Sequence, residues 1–134
     1  MSTYTDRAVE NHHKGCNCAQ AVACAFSDKV GYDEETLFKM AEGFGAGMGN
    51  RKCACGAISG AIILAGLVSS SGSVENVTKR NTYKLSAQIV DIFEENCKAL
   101  TCGEIKGIET GTPIVSCDEC IIVAAEAAEK ILFN

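Results

Sequence analysis

The chain has 134 residues, including nine cysteines, one proline and no tryptophan, and its formal net charge is −5. At this length we expect a single domain over residues 1–134, large enough to bury a core without disulfide or metal support. The acidic balance argues against nucleic acid as a partner, because nucleic-acid binders need clustered lysine and arginine. The first residues lack a basic segment and an apolar run, so we expect no signal peptide and a cytoplasmic location. Since cytoplasmic thiols stay reduced, the cysteines are expected to be ligands or reactive groups rather than disulfides.

Apolar residues recur at helical spacing, and no segment alternates as a strand would. We predict six helices, over residues 3–14, 18–30, 33–41, 54–68, 73–100 and 114–134. Segment 43–50 has glycine at every second position and is predicted to be a loop between the third and fourth helices. The fourth helix is the most apolar, but its 15 residues are too few to cross a bilayer. We therefore expect an all-α, single-domain bundle of about six helices around a central apolar helix, with no membrane span.

Finer predictions concern the fifth and sixth helices. Ser73 is predicted to cap the fifth helix, and Pro113 is predicted to lie just before the first turn of the sixth. Cys24 and Cys97 are interpreted as core residues, because free cysteine is among the most buried residue types. The core face of the fifth helix is expected to consist of Val77, Leu85, Ile89, Ile92, Phe93 and Cys97.

The other seven cysteines lie near predicted helix ends. Two C-x-C pairs precede helices, where the unpaired backbone N–H groups favour a thiolate over a thiol. A C-x-x-C pair puts two thiols one turn apart on the last helix, the geometry of redox or metal-binding pairs, and a further cysteine follows the long helix. A bundle can bring these helix ends together into one site. The residues concerned are Cys16, Cys18, Cys53, Cys55, Cys102, Cys117 and Cys120.

Other motifs give weaker signals. The glycine-rich segment lacks the spacing of a nucleotide-binding loop. Its backbone amides can form a nest for anionic sulfur beside Cys53 and Cys55, and a flexible hinge is the alternative. The adjacent pair His12 and His13 is a weak metal-binding signal and is interpreted mainly as a solvated pair. No Ser-His-Asp arrangement, carboxylate pair or H-E-x-x-H motif supports hydrolase chemistry, and whether the protein is an enzyme is left open.

The segment C-G-A-I-S-G over residues 55–60, preceded by G-M-G over residues 47–49, resembles the CGAxxG motif of the C_GCAxxG_C_C family, which is associated with redox activity. Three other segments are similar to elements of that family. They are N-C-A-Q-A-V over 17–22, the stretch 93–107, and C-I-I-V-A-A-E over 120–126. The resemblance covers nearly the whole chain.

This resemblance implies that the four defining cysteines of the family are Cys18, Cys55, Cys102 and Cys120. A related domain in split-Soret cytochromes holds an iron–sulfur cluster, so the resemblance implies a cluster, of unspecified type, as the cofactor. Gly47 and Gly49 of the motif are then expected near the cofactor. The chain departs from the family pattern by adding Cys16, Cys53 and Cys117, each beside a family cysteine, and these are candidate additional ligands.

Three functions remain open at this point. The first is an iron–sulfur redox protein that transfers electrons with a partner protein. The second is a cluster-free thiol–disulfide protein that uses Cys117 and Cys120 or a C-x-C pair. The third is a structural zinc or interaction subunit. A homodimer is also considered, because Ile121, Ile122 and residues 131–133 suit either a dimer interface or the core.

Overall fold

The computed structural model of the chain describes residues 2–133. Over this range the protein contains eight α-helices and no β-strand, and six of the helices have eight residues or more, which confirms the predicted all-α class and helix number. The helices are α1 (Thr3–His13), α2 (Cys18–Ala25), α3 (Ser27–Val30), α4 (Glu34–Ala41), α5 (Gly56–Ser69), α6 (Lys79–Cys97), α7 (Cys102–Lys106) and α8 (Cys117–Leu132).

Helix α5 is the central apolar helix, and α2, α6 and α8 pack around it. It is rich in alanine and glycine, which lets neighbouring backbones approach closely. A Cβ atom on Gly60 would lie only 2.5 Å from the carbonyl oxygen of Ala19 in α2. The prediction of a central apolar helix is therefore confirmed. No helix between residues 2 and 133 has the length and apolar character needed to cross a membrane.

Helix α6 begins at Lys79, so the prediction that Ser73 caps it is wrong. Ser73 instead belongs to a local turn, in which its Oγ accepts a hydrogen bond from the Glu75 amide. Val77 lies outside the helix and is 66% exposed, so its placement in the core was also wrong. The later part of the predicted face is correct, since Ile89, Phe93 and Cys97 are buried.

Helix α8 begins at Cys117, and Pro113 is not adjacent to its first turn as predicted. Ser116 caps the helix, because its Oγ accepts a hydrogen bond from the Glu119 amide. The preceding segment is held away from the helix axis by a hydrogen bond from the Ile114 amide to the carbonyl of Ile105. The predicted turn between the last two helices also contains α7.

The predicted second helix is interrupted at Phe26, which has non-helical backbone angles between α2 and α3. The Phe26 ring is fully buried and stacks between the rings of Tyr4 and Phe133, with centroid distances of 4.9 and 5.1 Å. Phe133 and Ile121 thus have core roles within one chain, and the homodimer stays a prediction.

The glycine-rich segment forms irregular turns, as predicted. A short 3₁₀ turn (Glu42–Phe44) is followed by a wide turn (Gly47–Arg51). Positive φ angles occur along the second turn, at glycine and at other residue types, which breaks any regular helix. The residues with positive φ are Ala46, Gly47, Met48, Gly49 and Arg51.

Candidate functional site

Three cysteines at the N-terminal ends of three helices line one small cavity. Cys18 is the first residue of α2, Cys55 immediately precedes α5, and Cys102 is the first residue of α7. The cavity has a volume of about 190 Å³. Its lining residues are His12, Asn17, Cys18, Ala46, Arg51, Cys55, Gly56, Cys102 and Lys106.

A capping box determines where α2 begins and thereby where Cys18 lies. The Asn17 side chain accepts a hydrogen bond of 2.9 Å from the Gln20 amide, and the Gln20 side chain accepts one of 2.9 Å from the Asn17 amide. Asn17 Nδ2 also donates to the carbonyl of Glu42. These bonds tie the start of α2 to the end of α4, so the first residue of α2 is held at the cavity.

A short backbone pairing holds Cys55 beside Cys102. Ala54 and Thr101 form an isolated antiparallel bridge. The Cys55 amide donates to the carbonyl of Leu100 at 2.8 Å, and the Cys102 amide donates to the carbonyl of Cys53 at 2.9 Å. Two cysteines that are distant in the chain are therefore brought to the same side of the cavity by main-chain hydrogen bonds.

Gly47 packs directly against Cys102. Its φ angle is +57°, and a Cβ atom there would lie 2.5 Å from Cys102 Cβ and 3.4 Å from Cys102 Sγ. Only glycine combines this backbone conformation with this approach. Gly49 also has a positive φ, but a Cβ on it would meet no atom within 4 Å. The structure thus brings Gly47 to the thiols and leaves Gly49 facing open space.

Cys120 and Cys97 lie behind Cys55, on the core side. Both are fully buried. Cys120, from the first turns of α8, hydrogen-bonds to Cys55 and also contacts the thiol of Cys97 at the end of α6. Cys97 is a core residue, as predicted, but it adjoins a site cysteine. All four cysteines implied by the resemblance, Cys18, Cys55, Cys102 and Cys120, therefore lie at one place in the fold.

Among Cys18, Cys55, Cys102 and Cys120, Cys55 is the one whose pKa is lowered. The hydrogen bond from Cys120, together with those from the amides of Ala57 and Ile58, lowers the pKa of Cys55 to about 7. These amides belong to the first turn of α5, so the helix start adds to the effect of Cys120 on the pKa of Cys55. The nest of amides predicted from the glycine-rich segment stays a prediction.

The neighbouring thiols are held protonated. Burial, followed by the negative charge of Cys55, raises the pKa of Cys18 to about 11. The same two causes raise the pKa of Cys102. The hydrogen bond to Cys55 raises the pKa of Cys120. The prediction that a helix start favours the thiolate is therefore wrong at Cys18, because burial outweighs the helix end there.

Cationic side chains surround the thiols. Lys106, in the last turn of α7, and Arg51 both line the cavity. In addition to the burial and hydrogen bonds described above, the charge of Lys106 acts to lower the pKa of Cys18, Cys55 and Cys102. Neither residue has a motif or spacing in the sequence that would have indicated this role. The cavity is thus suited to hold negative charge.

Of the three additional cysteines, the structure brings only Cys117 to the site. Its Sγ, Cys18 Sγ and a ring nitrogen of His12 all lie within 4.8 Å of one another. The side chain of Cys53 is exposed, and the residue takes part in the site through its carbonyl, which accepts a hydrogen bond from the Cys102 amide. Cys16 is half-buried; burial and then the charge of Glu34 raise its pKa, and it does not line the cavity.

His12 and His13 are not simply solvated, as the sequence interpretation had it. His12 lines the cavity. His12 Nδ1 and His13 Nε2 each lie 2.9 Å from a carboxylate oxygen of Asp118 in α8. Hydrogen bonds from His13 and His12 lower the pKa of Asp118, so this carboxylate is ionised at neutral pH. The two adjacent histidines were the only sign in the sequence of a site here. Their interaction with Asp118 depends on the packing of α1 against α8, which the sequence alone does not show.

Cysteines clustered at converging helix ends, with a histidine beside them, bring together the side-chain types that carry thiol redox chemistry and bind metal ions. A family model described as "Putative redox-active protein (C_GCAxxG_C_C)" matches residues 16–131. The chain belongs to this family. Comparison with curated proteins and with solved structures gives no significant match.

Proposed function

We propose that the protein binds an iron–sulfur cluster through Cys18, Cys55, Cys102 and Cys120 and works as an electron-transfer protein. One observation carries this proposal: three of these thiols line a single cavity, and the fourth is hydrogen-bonded directly behind Cys55. Four cysteine thiolates are the usual ligand set of such clusters. When bound, the cluster supplies the one-electron redox chemistry.

The chemistry of the donor set supports this assignment. Cys55 provides a thiolate near neutral pH, and metal binding releases the protons of the remaining thiols. The N–H groups of Ala57 and Ile58 donate to the Cys55 sulfur. Hydrogen bonds to ligand sulfur and nearby positive charge both raise the reduction potential of a cluster. Lys106 and Arg51 are positioned to provide the charge.

The surroundings suit electron transfer with a partner protein. Cys55, Cys102 and Cys120 are buried, so water has little access to these sulfur atoms. Arg51 is exposed and borders the same cavity, so a partner that reaches Arg51 comes close to the thiols. We infer a redox partner protein with an acidic patch, and a reducing, cytoplasmic setting.

Anaerobic isolation of the protein followed by iron and acid-labile sulfide analysis tests the proposal. We expect a coloured protein with iron and sulfide in stoichiometric amounts. Replacing Cys18, Cys55, Cys102 or Cys120 by serine should abolish or strongly reduce both, whereas C16S and C53S should retain them. Colourless protein after anaerobic reconstitution, with every thiol open to titration, would contradict the proposal.

A second candidate function has its own observation in the paired thiols of Cys55 and Cys120. A thiolate with a pKa of about 7 beside a second thiol is the arrangement of a thiol–disulfide protein. Oxidised dithiothreitol would take two electrons and two protons from the pair, leaving a Cys55–Cys120 disulfide and reduced dithiothreitol. Peptide mapping of the oxidised, metal-free protein detects that bond. Oxidation in any other cysteine pair would exclude this candidate.

A further inference from the structure

His12 and Cys117 lie beside Cys18 where three helices meet. His12 is in the last turn of α1, Cys18 begins α2, and Cys117 begins α8. A ring nitrogen of His12 and the two Sγ atoms are all within 4.8 Å of one another. Imidazole nitrogen and thiolate sulfur are the ligand types that zinc and related soft divalent ions prefer.

Asp118 orients the imidazole of His12. The distance from His12 Nδ1 to Asp118 Oδ1 is 2.9 Å. Together with the contact of His13 to the other carboxylate oxygen, this contact fixes the orientation of the His12 ring. Metal-binding histidines commonly have such a carboxylate on the other ring nitrogen. The contact therefore holds the His12 ring in place beside the two thiols.

The three side chains are open to an incoming ion. All of them are half-buried, and His12 and Cys18 line the 190 Å³ cavity. Lys106 lines the same cavity, and its Nζ donates a hydrogen bond to Cys117 Sγ. A divalent cation would have to displace this ammonium group from Cys117 Sγ, and the negative charge of two thiolates would balance the charge of the ion.

We propose that His12, Cys18 and Cys117 form a binding site for a divalent metal ion of the zinc type. Three protein ligands leave the fourth position of a tetrahedral zinc ion to water or a small ligand, as in catalytic rather than structural zinc sites. The site goes beyond the proposed cluster, because it shares Cys18 with the four-cysteine set but needs none of the other three. His12 also precedes residues 16–131, so the family match does not account for this site.

The test uses the 134-residue chain with C55S, in which the four-cysteine set is incomplete. Reduced protein is stripped of metal with a chelator under nitrogen and titrated with Co²⁺, whose sulfur-to-metal charge-transfer absorption reports thiolate ligands. We expect about one bound Co²⁺ with an absorption typical of two thiolates, displaced by Zn²⁺. Adding H12A or C117S should weaken binding by more than about tenfold, and D118N by about tenfold.

Matched controls separate a ligand role from a general effect on folding. His13 contacts the same carboxylate as His12, and Cys53, like Cys117, is a cysteine additional to the family set. The variants H13A and C53S, each in the C55S background, should keep Co²⁺ affinity within about threefold of the parent, because neither side chain belongs to the site. Far-UV circular dichroism checks that each variant remains helical.

Two results would overturn the proposal. One is equal Co²⁺ affinity with and without C117S and H12A, and the other is loss of Co²⁺ binding on C55S alone, which would assign the ion to the four-cysteine set. If a double variant does not fold, zinc K-edge absorption of Zn²⁺-loaded C55S protein decides the question. Two sulfur neighbours with nitrogen or oxygen support the site, and three or more sulfur neighbours contradict it. The iron–sulfur proposal is tested separately: if it is wrong, the protein without substitutions will contain neither iron nor acid-labile sulfide.

Discussion

Cys120 donates a hydrogen bond to Cys55, and this bond moves the pKa values of the two thiols in opposite directions. The pKa of Cys55 falls to about 7, and that of Cys120 rises. Cys120 is fully buried, whereas Cys55 borders the cavity. The negative charge therefore lies on the sulfur that a metal or an oxidant can reach from the cavity.

The first prediction concerns the pH dependence of Cys55 alkylation. With a pKa of about 7, about half of the Cys55 groups are thiolates at pH 7, against about one in a hundred for a thiol at the ordinary value of 9.0. Because the pKa is lowered, reactivity should already rise on going from pH 6 to 8. Iodoacetamide labelling followed by peptide mass spectrometry measures this midpoint.

The variant C120A tests the cause of that shift. Removing the donor should raise the Cys55 midpoint from about 7 toward the ordinary value. The variant C24S serves as the matched control, since Cys24 is a buried cysteine in α2 that lies outside the cavity. A Cys55 midpoint that stays near 7 in C120A would contradict the role given to this hydrogen bond.

The second prediction concerns the charge of Lys106. Besides the hydrogen bond from Cys120 and those from two backbone amides, the Lys106 ammonium favours the Cys55 thiolate. Lys106→Gln should therefore raise the pH midpoint of Cys55 labelling, while Lys106→Arg keeps the charge and should change it little. An identical midpoint in both variants would show that the ammonium does not influence the site.

The third prediction concerns the close approach of α2 and α5. A Cβ at Gly60 would lie 2.5 Å from the Ala19 carbonyl, so Gly60→Ala must push the helices apart. We expect a loss of about 1–3 kcal/mol in the free energy of unfolding, measured with urea. Because Ala19 follows Cys18, the same change should displace Cys18 from the cavity and speed its alkylation.

Gly66→Ala is the control on the same helix. A Cβ there would have no neighbour within 4 Å, and the substitution favours the helical backbone. It should leave stability unchanged or raise it by up to about 1 kcal/mol. Equal effects of the two substitutions would mean that the α2–α5 contact does not depend on glycine at position 60.

The fourth prediction separates Gly47 from Gly49. Both have positive φ, so alanine strains the backbone at each position, at a cost of about 1 kcal/mol. Only a Cβ at position 47 collides with Cys102. Gly47→Ala should therefore expose Cys102 to alkylation several-fold faster, and Gly49→Ala should not. Faster labelling of Cys102 in both variants would indicate that strain, rather than the collision, controls its position.

Local patterns in the sequence predicted most of the helices. Helical spacing of apolar residues identified α2, α4 and the central helix α5, because periodicity reflects which face of a helix is buried. It failed at Ser73 and Pro113, where side-chain and backbone hydrogen bonds of the neighbouring turns set the helix start. These hydrogen bonds form within the turns that precede α6 and α8, and apolar periodicity carries no information about such irregular segments.

The site was only partly predictable. The resemblance supplied Cys18, Cys55, Cys102 and Cys120 as a set, and the spacing of cysteines could not choose within each close pair. Cys18 rather than Cys16 reaches the cavity because the capping box starts α2 at that residue. Cys55 is buried because it directly precedes the central helix α5, whereas Cys53 lies two residues earlier, just after the exposed end of the wide turn.

By itself, the sequence determined the all-α class, the apolar central helix and the family. Each of these follows from the order and spacing of residues along the chain. Tertiary structure alone decided which side chains share the cavity, including His12 and Lys106, and brought Cys117 beside Cys18 and His12. It also decided that the pKa of Cys55 is lowered while that of Cys18 is raised. The reason is physical: acidity and ligand sets depend on burial and on distances between helices that are remote in the chain.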